Sequence, residues 1–448
     1  MDERSFRNAK LRHAFLIAYK ASADLAAKGS LFVVTVVAAR RLSPQDFGVF
    51  SLGSTLGWMA AVASDFGIQL HVARAVARRP EEASALLSAW LRVRWATASG
   101  ALVAAGAGAA LAPSTRAYAV PIALFALVYV CSGLVEFLHY FYRGLSRSDV
   151  ESTLTLWQRA GTLGCGVLAL LWRPSVSVLA IAMLAPVVLT LAASLRIARS
   201  FARASAPASE RSTAGGMSRA MPAAPAPIMV AQAVRREIWP IGAGIVLSAV
   251  YFRVDVFLVQ LWSGTEAVGL YNAAFRLVDA LRLFPAAVIA VVLPSLCRAA
   301  DLRPLARAAA PVTLSAAAVA AVLWMAADVL IPALYHERYA AAIPAFRILL
   351  LAFPLMSLNM ALTHQLVGWD GQRAYAALCA AALTFNLAVN ARLIPAWSID
   401  GAAWTTVGTE LFLTAGCAVA LWTTHGRVRR RAGVAPGPLP ESVAAGSS

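Results

Sequence analysis

Residues 251–298 read YFRVDVFLVQLWSGTEAVGLYNAAFRLVDALRLFPAAVIAVVLPSLCR, and this stretch decides the class of the protein. It opens in an apolar run, turns at Trp262-Ser263-Gly264 and returns as a second apolar run that ends at Pro294. Both runs approach the roughly 20 residues that a helix needs to cross a bilayer. Arg276, Asp279 and Arg282 interrupt the second run at three-residue steps, so a helix places them near one side. A charge at bilayer depth is costly and normally faces a protein interior or a watery cavity. The stretch therefore predicts a helical hairpin in a membrane, with a charged interior.

The remainder of the chain extends that pattern. Of its 448 residues 60% are hydrophobic and 14% charged, and the mean hydropathy is positive. A soluble domain carries only about 45–50% apolar residues. About twelve segments satisfy the span criterion, at 15–38, 46–68, 93–112, 118–141, 153–172, 176–196, 238–261, 266–292, 312–334, 343–367, 374–395 and 399–423. Residues 197–236 are rich in Ala, Pro, Ser and Arg, lack apolar periodicity and divide these spans evenly. The expected organisation is a first half over 1–196, a disordered cytoplasmic linker over 197–236, a second half over 237–424 and a disordered cytoplasmic tail over 425–448. The fold class is an all-α polytopic membrane protein of about 12 transmembrane helices, in two six-helix halves around a central cavity.

A net charge of +17 would suit a nucleic-acid partner, but the basic residues gather in alternating loops. Arg74, Arg78, Arg79 and Arg92 follow the second span and Arg298, Arg303 and Arg307 the eighth, while the opposite side holds few, Arg40, Arg116 and Arg338 among them. The positive-inside rule then places both termini in the cytoplasm, and no soluble domain is left to hold nucleic acid. The 69–92 loop carries the helix-start signal Pro80-Glu81-Glu82, followed by Leu86, Leu87, Trp90 and Leu91 on one side. It predicts a short amphipathic helix on the inner membrane surface. The five cysteines stand singly, without CxxC or a Cys/His cluster, so neither a disulfide frame nor a metal site is expected. No nucleophile elbow, phosphate-binding loop or HExxH marks an enzyme or calls for a cofactor.

The halves also repeat in sequence. Ser43-Pro44-Gln45-Asp46-Phe47-Gly48-Val49-Phe50 lies between the first two spans, and Gly264-Thr265-Glu266-Ala267-Val268-Gly269-Leu270-Tyr271 at the equivalent place in the second half. Each has glycine, one apolar residue and an aromatic just as a span begins. Two halves that enter the membrane the same way are related by an axis along the membrane normal, which suits a transporter with its site between them.

These residues carry a family resemblance. RRLSPQDFGVFSLG, followed by SDFGIQLHVARAVA, resembles the start of the bacterial polysaccharide-export flippases, and RVDVFLVQLWSGTEAVGLYNAAFRL resembles the opening of their second half. These are the Wzx-type polysaccharide and O-antigen flippases, a branch of the multidrug/oligosaccharidyl-lipid/polysaccharide exporter superfamily. The resemblance implies a multi-pass protein of the bacterial inner membrane. It would move an undecaprenyl-diphosphate-linked oligosaccharide between leaflets for O-antigen, capsule or exopolysaccharide export. Membrane lipids, a polysaccharide polymerase and glycosyltransferases are the partners implied. A proton, a sodium ion and the membrane voltage remain open as the drive.

Charges inside the spans are the site candidates. The first span must reach back over Lys28, Asp24 and Lys20, spaced by four, to attain full length. Lys28 lies deepest and is read as part of a cationic cavity wall; the alternative is a snorkelling Lys20 with Asp24 and Lys28 paired. Arg253 and Asp255 in the seventh span point to different sides, and either would pair with Arg276, Asp279 or Arg282 if a fixed salt bridge joins the seventh and eighth spans. The excess of Arg over Asp favours an anionic cargo, because guanidinium forks hold phosphate oxygens in a bidentate way. Lys28, Arg253, Arg276 and Arg282 are thus the substrate-binding candidates, with the first and seventh spans expected to face each other across the cleft. Asp24, Asp255, Asp279 and Glu410 are the coupling or gating candidates; Glu410 either carries a proton or partners Arg392 or another buried arginine. A multidrug or organic-cation exporter of the same superfamily should instead show an acidic cavity. A membrane-embedded polysaccharide-assembly enzyme should show a large outer loop or a soluble domain.

Overall fold

The computed structural model describes residues 19, 22–23, 26–204, 234, 238–299 and 301–431. Among these the regular elements are helical, with no strand. In chain order they are α1 (26–41), α2 (Pro44–Asp65), α3 (Ile68–Arg78), α4 (Ala83–Leu111), α5 (Ala119–Gly144), α6 (Ser148–Trp172) and α7 (Val176–Ala204). They continue with α8 (Trp239–Leu281), α9 (Leu283–Arg298), α10 (Arg303–Tyr335), α11 (Ile343–Gly368) and α12 (Gln372–Arg431). Eight stretches are long and apolar enough to cross a membrane, and two of them, of 51 and 55 residues, have the length for two crossings each.

Both long stretches bend where the sequence permits it. Gly264 stands at φ 84 and ψ 179, outside the region open to other residues, and splits α8 into two limbs. The limbs fold back on each other: the Arg253 guanidinium donates to Asn272 Oδ1 at 3.1 Å and Gln260 Nε2 to Thr265 Oγ1 at 3.1 Å. In α12 the break falls at Ser398, three residues beyond Pro395, and Asn386 Nδ2 donates to Thr409 Oγ1 at 3.2 Å between the limbs. With α1 and the 29-residue α4 the crossings number about twelve. α7 runs on to Ala204, eight residues into the stretch read as linker, and α12 carries helix past 425 to Arg431. Residues 205–233 and 432–448, like Lys20 and Asp24, lie outside the described residues.

One element differs from expectation. Pro80–Glu82 forms a single 3-10 turn that leads directly into α4, so Leu87, Trp90 and Leu91 are buried in the first turns of that 29-residue helix and not in a separate short one. The helix continues through Arg94 because that side chain, fully buried, lies 3.6 Å from Asp65 and donates to Ser64 Oγ at 3.2 Å. The short amphipathic helix is α3. Its Ile68, Val72 and Val76 recur every fourth residue and are buried, and Asp65 accepts the backbone N–H groups of Gly67 and Gln69 at its start.

Within the first half α2 packs on α5, and α5 and α6 on α7; within the second, α8 and α11 pack on α12, and α10 on α11. The halves join chiefly through α2 against α8. There the two repeated motifs meet. A Cβ at Gly48 would lie 1.9 Å from the Thr265 carbonyl oxygen, and one at Gly269 would lie 2.1 Å from that of Pro44. Residues on a two-fold axis touch their own equivalents. Glycine recurs in both motifs because two backbones cross at this point without room for a side chain.

Candidate functional site

Away from that crossing, the first half's α1 and the second half's α8 and α9 border a cavity of ≈ 460 Å³. α1 contributes Lys28, Phe32 and Thr35; the second limb of α8 contributes Arg276 and Asp279; Arg282 lies at the α8–α9 junction. Among the described residues three cations thus face one carboxylate. The balance is locally uneven. Arg282 Nη1 donates to Asp279 Oδ1 at 3.3 Å, and its guanidinium stacks 4.5 Å over the Phe252 ring. That pair shares one helical side, as the three-residue spacing requires. Among the described residues Arg276 has no such carboxylate, and its buried Nε, like that of Arg282, finds no hydrogen-bond partner. Lys28 is exposed to the cavity and makes no ion pair among the described residues. The wall is therefore a concave surface with surplus positive charge at membrane depth, where opposite charge is strongly favoured.

Arg253 corrects the expectation for the cationic wall. It is 5% exposed and lies between the halves, donating to Asn272 Oδ1 and, at 3.3 Å, to Thr55 Oγ1 of α2, with the Phe275 ring 4.5 Å away. Its position follows from the first limb of α8 packing on α2. For the same reason the cavity opens between the first span and the eighth, not the seventh. No ion pair joins Arg253 or Asp255 to the eighth span among the described residues; at the junction each of them instead bonds a neutral side chain, Asn272 and Tyr271.

Asp255 and Glu410 come together where the sequence offered no link between them. Both border a small void of ≈ 10 Å³, together with Tyr251, Asn386, Thr406 and Thr409. Asp255 accepts the Tyr271 hydroxyl and the Val256 N–H, the latter at 2.9 Å. Glu410 accepts Asn359 Nδ2 at 2.7 Å, and the same amide donates to the Glu410 carbonyl at 2.8 Å. Arg392 is exposed and is not its partner. A void of about one water-sized probe, with two carboxylates and several neutral oxygens around it, can hold a proton carrier or one small cation. Asn359, Tyr271 and Asn386 were missed by sequence reasoning. The available signal was polar residues at helical spacing inside apolar spans, as in Asn386 and Asn390, whose side chains bond at 2.7 Å.

The family described as polysaccharide biosynthesis protein matches residues 17–300. No curated protein matches the chain. Among solved structures, a multidrug resistance transporter of the MATE family and MOP superfamily, in its inward-facing conformation, superposes with a TM-score of 0.61 at 12% identity, over 91% of this chain and 96% of that one. The lipid II flippase MurJ in an inward closed conformation gives a TM-score of 0.61 at 10% identity, over 91% of this chain and 89% of that one. A MOP superfamily transporter from Pyrococcus furiosus gives 0.52 at 14%, over 92% and 93%. At these identities the likeness is one of fold: a multi-pass helical architecture of two halves about a cavity.

Proposed function

The chain belongs to the polysaccharide biosynthesis protein family, and from that premise we propose that it is a flippase for an undecaprenyl-diphosphate-linked oligosaccharide, working by alternating access in the inner membrane. The observation that carries this reading is the surplus of positive charge in the cavity between the halves, where Lys28, Arg276 and Arg282 face Asp279 alone. A diphosphate brought to membrane depth needs fixed positive charge around it. An organic cation would be repelled there, which disfavours the multidrug exporter. The reading is of a transporter and not an enzyme: the protein moves its cargo and leaves the covalent steps to a polymerase and glycosyltransferases.

In this mechanism the diphosphate sits between α1 and the second limb of α8 while the polyprenyl tail stays in lipid. Arg276, with an unpartnered Nε, supplies the planar fork, and Lys28 a mobile point charge from the facing helix. Coupling falls to Asp255 and Glu410, whose void takes a proton or a sodium ion. The test is translocation of a fluorescent polyprenyl-diphosphate glycan by the purified protein in vesicles. Faster flipping than in protein-free vesicles is expected. A protein that exports an organic cation and leaves the glycan lipid in place would overturn the assignment.

The orientation completes the reading. The alternating arginine loops put both termini and the 197–236 linker in the cytoplasm. Reporter fusions at residues 215 and 440 should both report cytoplasm, and a periplasmic signal from either would reject it.

A further inference from the structure

Where α1 and α10 terminate, the two halves are sealed against each other by exchanged arginines. α1 ends at 41 and α10 at Tyr335, each leaving its last carbonyls without helical partners. Arg40, from the first half, donates Nε to the Leu334 carbonyl at 2.9 Å and Nη2 to the Ala333 carbonyl at 2.7 Å. Arg338, from the second half, donates Nη2 to the carbonyls of Ala39, at 3.1 Å, and of Arg40. Each half thus caps a helix end of the other with a cation, the sign that a helix C-terminus favours. Phe47 packs edge-on against Tyr339, 5.9 Å away, beneath the clasp.

The same seal has a second, plainer flank. Arg338 stands on a 3-10 turn, Glu337–Ala342, that follows the third span of its half; the equivalent turn in the first half is Arg116–Tyr118. Beside that turn the link between the halves among the described residues is one neutral hydrogen bond, Gln260 Nε2 to the Ser114 carbonyl at 3.1 Å. The two flanks are therefore equivalent in position and unequal in strength.

We propose that Arg40 and Arg338 are the latch of the sealed face. They hold the halves together there while the cavity is reached from the other side, and their release is the step that turns the cavity over. The idea rests on the alternating-access reading. The chemistry suits a reversible latch. Both arginines are exposed and their acceptors are backbone carbonyls, so water can satisfy every group once the halves part. A buried ion pair would strand charge on opening.

The test is access to the cavity from each face. Cys131, Cys165, Cys297, Cys379 and Cys417 are replaced, Ala280→Cys is introduced on the cavity wall, and a membrane-impermeant maleimide is applied to right-side-out and inside-out vesicles. The parent should label from the open face. Arg40→Ala and Arg338→Ala should each raise labelling from the sealed face by about tenfold, the equilibrium change of about 1.4 kcal/mol. Gln260→Ala should raise it less. Labelling from the sealed face that stays at the parent level in both arginine variants, with open-face labelling intact, overturns the proposal. If one alanine variant does not insert, Arg40→Gln or Arg338→Gln decides in its place. The readout needs no cargo. A change in access without glycan-lipid flipping keeps the latch and removes the substrate assignment; flipping without a change in access does the reverse.

Discussion

Replacing Arg276 by alanine is expected to abolish surface glycan in cells that depend on this protein, with protein level and membrane insertion unchanged. Arg276 lines the cavity, no carboxylate pairs with it among the described residues, and its Nε is buried without a partner. Removing it should therefore break little within the protein, and the loss should fall on the cargo. A hydrogen bond to a charged group contributes about 1.5–3 kcal/mol, so losing one such contact should slow translocation by about ten- to a hundredfold. Lys28→Ala should behave alike from the facing helix. The conservative pair separates charge from geometry. Lys28→Arg should retain much of the activity, while Arg276→Lys should lose part of it because a point charge replaces a fork. Arg282→Ala should matter less, since Asp279 already engages that guanidinium at 3.3 Å. Full complementation by both Lys28→Ala and Arg276→Ala would show that these residues are packing cations and that the cargo binds elsewhere.

Glu410→Gln is expected to uncouple transport from an imposed ion gradient without unfolding the protein. The side-chain oxygen of glutamine can still accept Asn359 Nδ2, which Glu410 accepts at 2.7 Å, so the helix contact survives. What disappears is the negative charge and the site for a proton. Asp255→Asn should act in the same direction because it borders the same void, though it also gives up the carboxylate that receives the Tyr271 hydroxyl. Vesicles loaded with the protein are given a pH gradient or a sodium gradient, and glycan-lipid flipping is followed in each. The variants should lose at least about tenfold of the gradient-stimulated rate, the effect of about 1.4 kcal/mol, while keeping any basal rate. Which gradient stimulates the parent identifies the ion. A Glu410→Gln protein that responds to both gradients like the parent would return the carboxylate to a purely structural role.

Much of this molecule is legible in its sequence because the bilayer imposes a local rule. Runs of about 20 apolar residues read as helices, since only a helix satisfies every backbone group there within the one segment. The breaks at Gly264 and near Pro395 mark the hairpins, and the paired glycine motifs mark the repeat. What local pattern cannot carry is rotation and neighbourhood. Arg253 and Arg276 look alike as arginines in adjacent apolar runs, yet one is sealed against Thr55 and the other lines the cavity. Asp255 and Glu410 are remote in the chain and share a void only because both long helices fold back on themselves. Pro80-Glu81-Glu82 signalled a helix start correctly, but that the helix runs on for 29 residues, with Arg94 buried beside Asp65 of another helix, is a matter of packing. The sequence by itself determined the class, the count of spans, the division into halves and which side chains bear charge in the membrane, because composition and periodicity act within one helix. Only the tertiary structure decided which of those charges face the cavity and which are sealed between helices, because that choice is made by packing, and packing is a property of pairs of helices.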